Sequence, residues 1–218
     1  MPSSIPMKSV LLSFAACALL AAPLHAGTAE KLEQIFQEDT LGADVAYLQG
    51  IAGVPLKTDH FGRETWQTYK IGKCKVDTVT DGHKVLSLSM RLSPMCTFDI
   101  GAMNANFPHV MAHEATFGTF DGVYGSDCIT GMCGNAVESS VTLEHKGSRA
   151  ENFINVTLSR GQNADDILDA VFAWRDHILK HESRDYVDEC GYNDGKYNAA
   201  AQKLFRDVRI DGITFSRQ

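Results

Sequence analysis

The sequence predicts an α+β fold, an antiparallel sheet built from hairpins with helices packed on one face. Three observations carry this expectation. Helical periodicity occupies both ends of the chain, two-residue alternation occupies its middle, and glycine-containing turns separate the alternating runs.

The first 26 residues stand apart. Lys8 precedes the apolar run VLLSFAACALLAA, and PLHA leads into GTAE. A charged start, a short apolar stretch and a small-residue site describe an export signal cleaved after Ala26. The run is shorter than the roughly 20 residues that a membrane span needs. Phe14-Ala15-Ala16-Cys17 also resembles a lipobox, and membrane contact is expected only if Cys17 carries a lipid. Residues 27–218 are then a single α+β domain of 192 residues (218 − 26), with ample length for a core. Loss of Lys8 takes the net charge from −7 to −8. Lysines and arginines are scattered through an acidic chain, which argues against nucleic acid as a partner.

Residues 28–52 read as two helices. Leu32, Ile35 and Phe36 form one stripe; Ala43, Tyr47 and Ile51 form a second after the break at Thr40-Leu41-Gly42. Gly50, Gly53 and Pro55 end the second helix. Residues 65–92 read as strands. Tyr69 and Ile71 alternate, as do Cys74, Val76 and Thr78, with a phase slip at Gly72 that a β-bulge would explain. In KVLSLSMRL, Leu86, Leu88, Met90 and Leu92 face in while Ser87, Ser89 and Arg91 face out. A three-residue loop, Thr80-Asp81-Gly82, places Val76 opposite Leu86 and Cys74 opposite Leu88, with Gly82 in the left-handed position.

A lone strand is expected near Ala115–Phe120. A second hairpin follows, with Val137, Ser139, Val141 and Leu143 on one arm and Ile154, Val156 and Leu158 on the other, turning at Gly147-Ser148-Arg149. Residues 163–181 make the clearest helix. Asn163 is the N-cap, Asp165 and Asp166 occupy the first turn, and Ile167, Leu168, Val171, Trp174 and Ile178 form the apolar stripe. Lys180 and His181 lie at its C-terminal end, where positive charge is favoured. A shorter helix near 197–207 carries Ala201, Leu204 and Val208, and a strand at Ile210–Phe215 closes the chain. The hairpin face around Leu88 and the stripe around Trp174 are expected in one core.

Five cysteines follow the signal: Cys74, Cys96, Cys128, Cys133 and Cys190. Export implies an oxidising compartment, in which disulfides are the default. CITGMCGNA has four residues between its cysteines, not two, and no second ligand pair nearby, so metal and redox readings lack their usual spacing. A closed Cys128–Cys133 loop is expected. Cys74–Cys96 is the preferred second pair, leaving Cys190 free and buried.

Around residues 43–92, ADVAYLQGIAGVP, the turn Gly53-Val54-Pro55 and a strand bearing Tyr69 followed by a hairpin resemble the small outer-membrane-assembly lipoproteins of the SmpA/OmlA group and the β-lactamase inhibitor proteins of similar fold. The resemblance covers about a quarter of the chain. It implies an envelope protein that binds other proteins, and it carries no catalytic residue across.

Two histidine pairs share one spacing, His109 with His113 and His177 with His181, each followed by a glutamate. On a helix such a pair lies on one face and can reach a metal. The HExxH order is absent, and a histidine favoured by the helix dipole explains the second pair equally well. The chain has no Gly-x-Ser-x-Gly elbow and no phosphate-cradling loop, while paired carboxylates for glycoside cleavage need no local motif. The expected function is therefore that of a periplasmic or secreted, disulfide-stapled protein that binds another envelope or secreted protein, as an envelope factor or as an inhibitor or immunity protein. It is non-enzymatic and needs no cofactor. The alternative is a secreted hydrolase using scattered carboxylates or a histidine-bound metal.

Overall fold

The computed structural model describes residues 22–127, 129, 140–146, 154–162 and 165–217. The chain runs α1 (Ala22–Ile35), α2 (Val45–Ala52), β1 (Lys57–Phe61), β2 (Glu64–Ile71), β3 (Cys74–Thr80), β4 (Val85–Arg91), β5 (Val123–Ser126), β6 (Ser140–Lys146), β7 (Ile154–Gly161), α3 (Asp165–Ile178), α4 (Arg184–Asp188), α5 (Asn198–Phe205) and β8 (Gly212–Arg217). The strands form one antiparallel sheet in the order β1-β2-β3-β4-β8-β7-β6-β5. The fold is α+β, and the C-terminal strand β8 lies between the two hairpin systems and joins them.

One row of directly opposed residues shows how the core is assembled. Tyr69, Val76, Met90, Ile213, Leu158, Leu143 and Tyr124 follow one another across the strands from β2 to β5. Every one is buried, and helices pack on this face at its β2 and β5 ends. Under β2 the cover comes from α1 and α2. Leu32, Ile35 and Phe36 are fully buried there, as the periodicity predicts, and Phe36 stacks on Phe98 at 4.6 Å. At the β5 end, α3 packs against α5, with Trp174 edge-on to Phe205 at 5.6 Å and to Tyr192 at 5.3 Å. The Leu88 face and the Trp174 stripe belong to one contiguous core, but α3 makes its main contact with α5 and not with β3 and β4.

Several local expectations are corrected. The phase slip at Gly72 is the tip of a hairpin. Ile71 opposes Cys74, and Gly72, at φ +61°, opens the two-residue turn between them. A glycine with positive φ at the first central position is what a type II′ turn requires. The β3–β4 hairpin has a longer loop than its parity suggests. Val76 opposes Met90 and Thr78 opposes Leu88, with a bulge at Val79/Thr80. Asp81 is the cause, since its Oδ1 accepts the backbone N–H groups of His83 (2.9 Å) and Lys84 (2.7 Å) and draws both residues into the loop. Gly82 does take positive φ, at +94°. The partner moves from Leu86 to Met90, an even number of residues, so the inward and outward sets survive below the bulge. At the tip, Val85 is buried and Leu86 is only half-buried.

In the second helix, Asp44 caps the N-terminus by accepting the Ala46 N–H (3.0 Å), and Leu48 is the buried residue while Tyr47 is half-exposed. The expected strand at Ala115–Phe120 is instead a short 3-10 turn at Phe117–Thr119, and the strand begins at Val123. Helix α3 ends at Ile178, before Lys180 and His181. Strand β8 starts at Gly212, two residues after Ile210. Val137, Ser139, the Gly147-Ser148-Arg149 turn and the Asn163 cap lie outside the described residues.

Cys74, at the start of β3, is joined to Cys96 beyond β4, 22 residues away. Closing a loop of that length restricts the unfolded chain by about 3 kcal/mol in the entropy model. Cys128 and Cys133, the other expected pair, lie outside the described residues. Cys190 is half-buried and carries no disulfide among the described residues. Its backbone is left-handed, at φ +57°.

Candidate functional site

Alternation places small polar residues on the face of the sheet away from the helices. Along one row, Asp77, Ser89, Thr214, Thr157 and Glu144 oppose one another across five strands. A second row runs Val79, Ser87, Ser216, Asn155 and Lys146, and a third runs Arg91, Gly212, Ser159, Thr142 and Gly125. The serines and threonines of these rows are partly exposed. An antiparallel sheet tolerates this arrangement, with one side against the core and the other partly exposed, Asn155 being the buried member of the second row.

The small side chains leave a groove of about 240 Å³ between Asp77, Ser89, Arg91, Ser159, Asp211 and Thr214. Its charged groups are already engaged. Asp77 accepts a hydrogen bond from Thr68 Oγ1 at 2.6 Å. Asp211 lies 4.0 Å from Arg160 Nη1 and accepts the Gly161 N–H at 3.4 Å. Gly212 keeps the floor low, because a Cβ there would fall 2.4 Å from Ser159 Oγ. The groove offers hydroxyl donors and acceptors on a rigid floor, a surface suited to hydrogen bonding across an interface. Ser87, Ser89 and Arg91 face out as their alternation predicts. Thr157, Ser159, Thr214 and Ser216 were missed, although NVTLSR and GITFSR carry the same alternation of apolar and hydroxyl residues.

The histidine pairs lie elsewhere. His109 and His113 are not on an α-helix; a 3-10 turn spans Ala112–Glu114. His109 Nδ1 is 2.8 Å from Asp99 Oδ2, and this contact leads the effects that hold the Asp99 carboxyl below its usual range. His113 Nδ1 is 3.0 Å from Thr97 Oγ1. The two rings therefore brace the 97–99 segment. His177 and His181 have ring centroids 5.4 Å apart on the helical side of the sheet, beside Tyr197. Among the described residues, no group of three His, Cys, Asp or Glu side chains is placed to hold a metal.

Beside His181, Glu182 accepts hydrogen bonds from Lys196 and from the Tyr197 hydroxyl, the latter at 2.7 Å. Lys196 first and Tyr197 second hold its carboxyl below the ordinary value, and Glu182 raises Lys196 in turn. A depressed carboxyl stabilises the fold above the ordinary carboxylate range, and that contribution is lost as pH falls through the lowered folded value. The raised lysine contributes below the ordinary lysine value and fades as pH rises through the raised one. Glu182→Gln is therefore expected to flatten the acid-side decline of Tm measured by circular dichroism. Parallel declines in the two proteins would show that the cluster adds nothing to the acid response.

Comparison with known proteins gives no match: no family model, no curated protein and no solved structure is similar to this chain.

Proposed function

We propose that this is an exported, disulfide-stapled protein of the bacterial envelope or its surroundings that binds another envelope or secreted protein through the open face of its sheet, without catalysis. The observation that carries this reading is the partly exposed row Ser89, Thr214, Thr157 at the centre of a sheet whose other face is buried in the core. A rigid face of short hydroxyl side chains costs little conformational entropy to cover, because serine and threonine lose few rotamers. The Cys74–Cys96 bond supports the oxidising compartment.

The test is capture of a binding partner from envelope extract by the purified protein and by two face variants, Thr214→Arg and Ser89→Arg, with Lys203→Glu on α5 as control. A partner retained by the wild type and control, and lost by at least about tenfold from both arginine variants at unchanged Tm, is the expected result for a central interface position. Equal retention by all four proteins, or repeated capture of nothing, would overturn the reading.

The hydrolase alternative has one observation in its favour: Asp77 and Asp211 line the same groove. Hydrolysis of a glycan or peptide substrate that disappears in both Asp77→Asn and Asp211→Asn would replace binding with catalysis.

A further inference from the structure

The two edges of the sheet are treated differently. At one edge, the free backbone of β5 is closed by side chains. Asn198 Oδ1 accepts the Tyr124 N–H at 2.9 Å and its Nδ2 donates to Gly122 O at 3.0 Å, while Asn193 Oδ1 accepts the Ser126 N–H at 2.9 Å and its Nδ2 donates to Ser126 O at 3.0 Å. These two amides imitate a neighbouring strand. The other edge is β1, which among the described residues pairs with β2 alone. Large apolar side chains gather at this edge: Val54 is 86% exposed, Leu56 62%, Phe61 61% and Trp66 48%. Phe61 and Trp66 pack edge to face at 5.8 Å. An edge strand bordered by apolar side chains is a template for a further strand, and the charges it carries restrict which strand can pair there.

The charges on β1 indicate which strand. Lys57 and Asp59 sit on the same face, with Nζ and Oδ2 2.5 Å apart. An antiparallel copy of β1 centred on Thr58 sets Lys57 opposite the second copy's Asp59, and Asp59 opposite the second copy's Lys57. It also sets Phe61 opposite the second copy's Pro55. Centring on Asp59 instead would oppose two aspartates, which is unfavourable. Centring between residues would turn one copy over and place its helices on the wrong side, because side chains alternate with period two. The sequence Lys-Thr-Asp is thus self-complementary about its middle residue.

We propose that the protein forms a symmetric dimer by antiparallel pairing of β1 with β1 about Thr58, making one continuous sheet with the helices of both copies on the same side. Two identical ion pairs and two sets of apolar side chains then close the exposed edge, as an isologous contact requires. The proposal does not depend on what, if anything, the open face binds.

Sedimentation velocity on the purified protein from about 1 µM to about 1 mM spans weak to moderate dissociation constants. The wild type is expected to shift from monomer to dimer in this range. Lys57→Asp and Asp59→Lys should each weaken the dimer by at least about tenfold, since two attractive cross-strand pairs become repulsive. Mixed in equal amounts, the two variants should restore a dimer containing one of each, because unlike charges again face each other. Circular dichroism and Tm confirm that each variant folds. A wild type that stays monomeric throughout overturns the proposal, and so does a dimer indifferent to both substitutions. Two weakened variants that fail to recover on mixing overturn the register about Thr58.

Discussion

Replacing Trp174 with alanine is expected to destabilise the protein by about 3–5 kcal/mol, the range for emptying a site filled by a large aromatic side chain. Trp174 is fully buried and stands edge-on to both Tyr192 and Phe205. Phe205 in turn stacks on Tyr124 of β5 at 5.8 Å. The indole therefore links α3 to α5 and, through α5, to the sheet. Its N–H has no acceptor among the described residues. Trp174→Phe removes that buried donor while keeping a ring in the site, so its loss should be clearly smaller than that of the alanine variant. Urea midpoints at unchanged slope measure both differences. An alanine variant that costs under about 1 kcal/mol would mean that the site collapses freely and that α3 adds little to the core.

Leu88→Ala is expected to cost about 2–5 kcal/mol, while Ser87→Ala on the same strand should change stability by no more than about 0.5 kcal/mol. Leu88 is fully buried between Thr78 and Phe215. Ser87 stands on the other face, between Val79 and Ser216, and is partly exposed. The contrast is a direct reading of which side of the sheet is covered. Comparable losses would show that the hydroxyl face is buried against something, and the proposed binding surface would then have to move to the loops.

Facing was more legible in the sequence than neighbourhood. Leu88, Met90 and Leu92 face in and Ser87 and Ser89 face out as their alternation predicts, because a strand's side chains alternate whatever lies beside it. The apolar stripes of α1 and α3 were equally plain, since three or four apolar residues at helical spacing must share one side. β1 was not legible: Lys-Thr-Asp-His-Phe has no apolar alternation, because an edge strand with this degree of exposure buries nothing on either side. The groove residues Asp77, Arg91 and Asp211 were not legible as a set either, for Asp211 lies more than 100 residues from the hairpin that carries the other two.

The sequence by itself determined the α+β class, the inward set of most strands, the helix stripes and the positive φ of Gly82, whereas the bond between Cys74 and Cys96 was decided by the structure. Each feature that the sequence determined follows from forces acting within a few residues. Only the tertiary structure decided that β8 lies between β4 and β7, that Val76 opposes Met90 and that α3 rests on α5. Strand order and register are chosen among pairings with nearly the same backbone hydrogen bonds, and what separates them is side-chain packing between distant segments. Here that packing is Ile213 and Phe215, which bridge Met90 to Leu158 and Leu88 to Val156 and so turn two hairpin systems into one sheet.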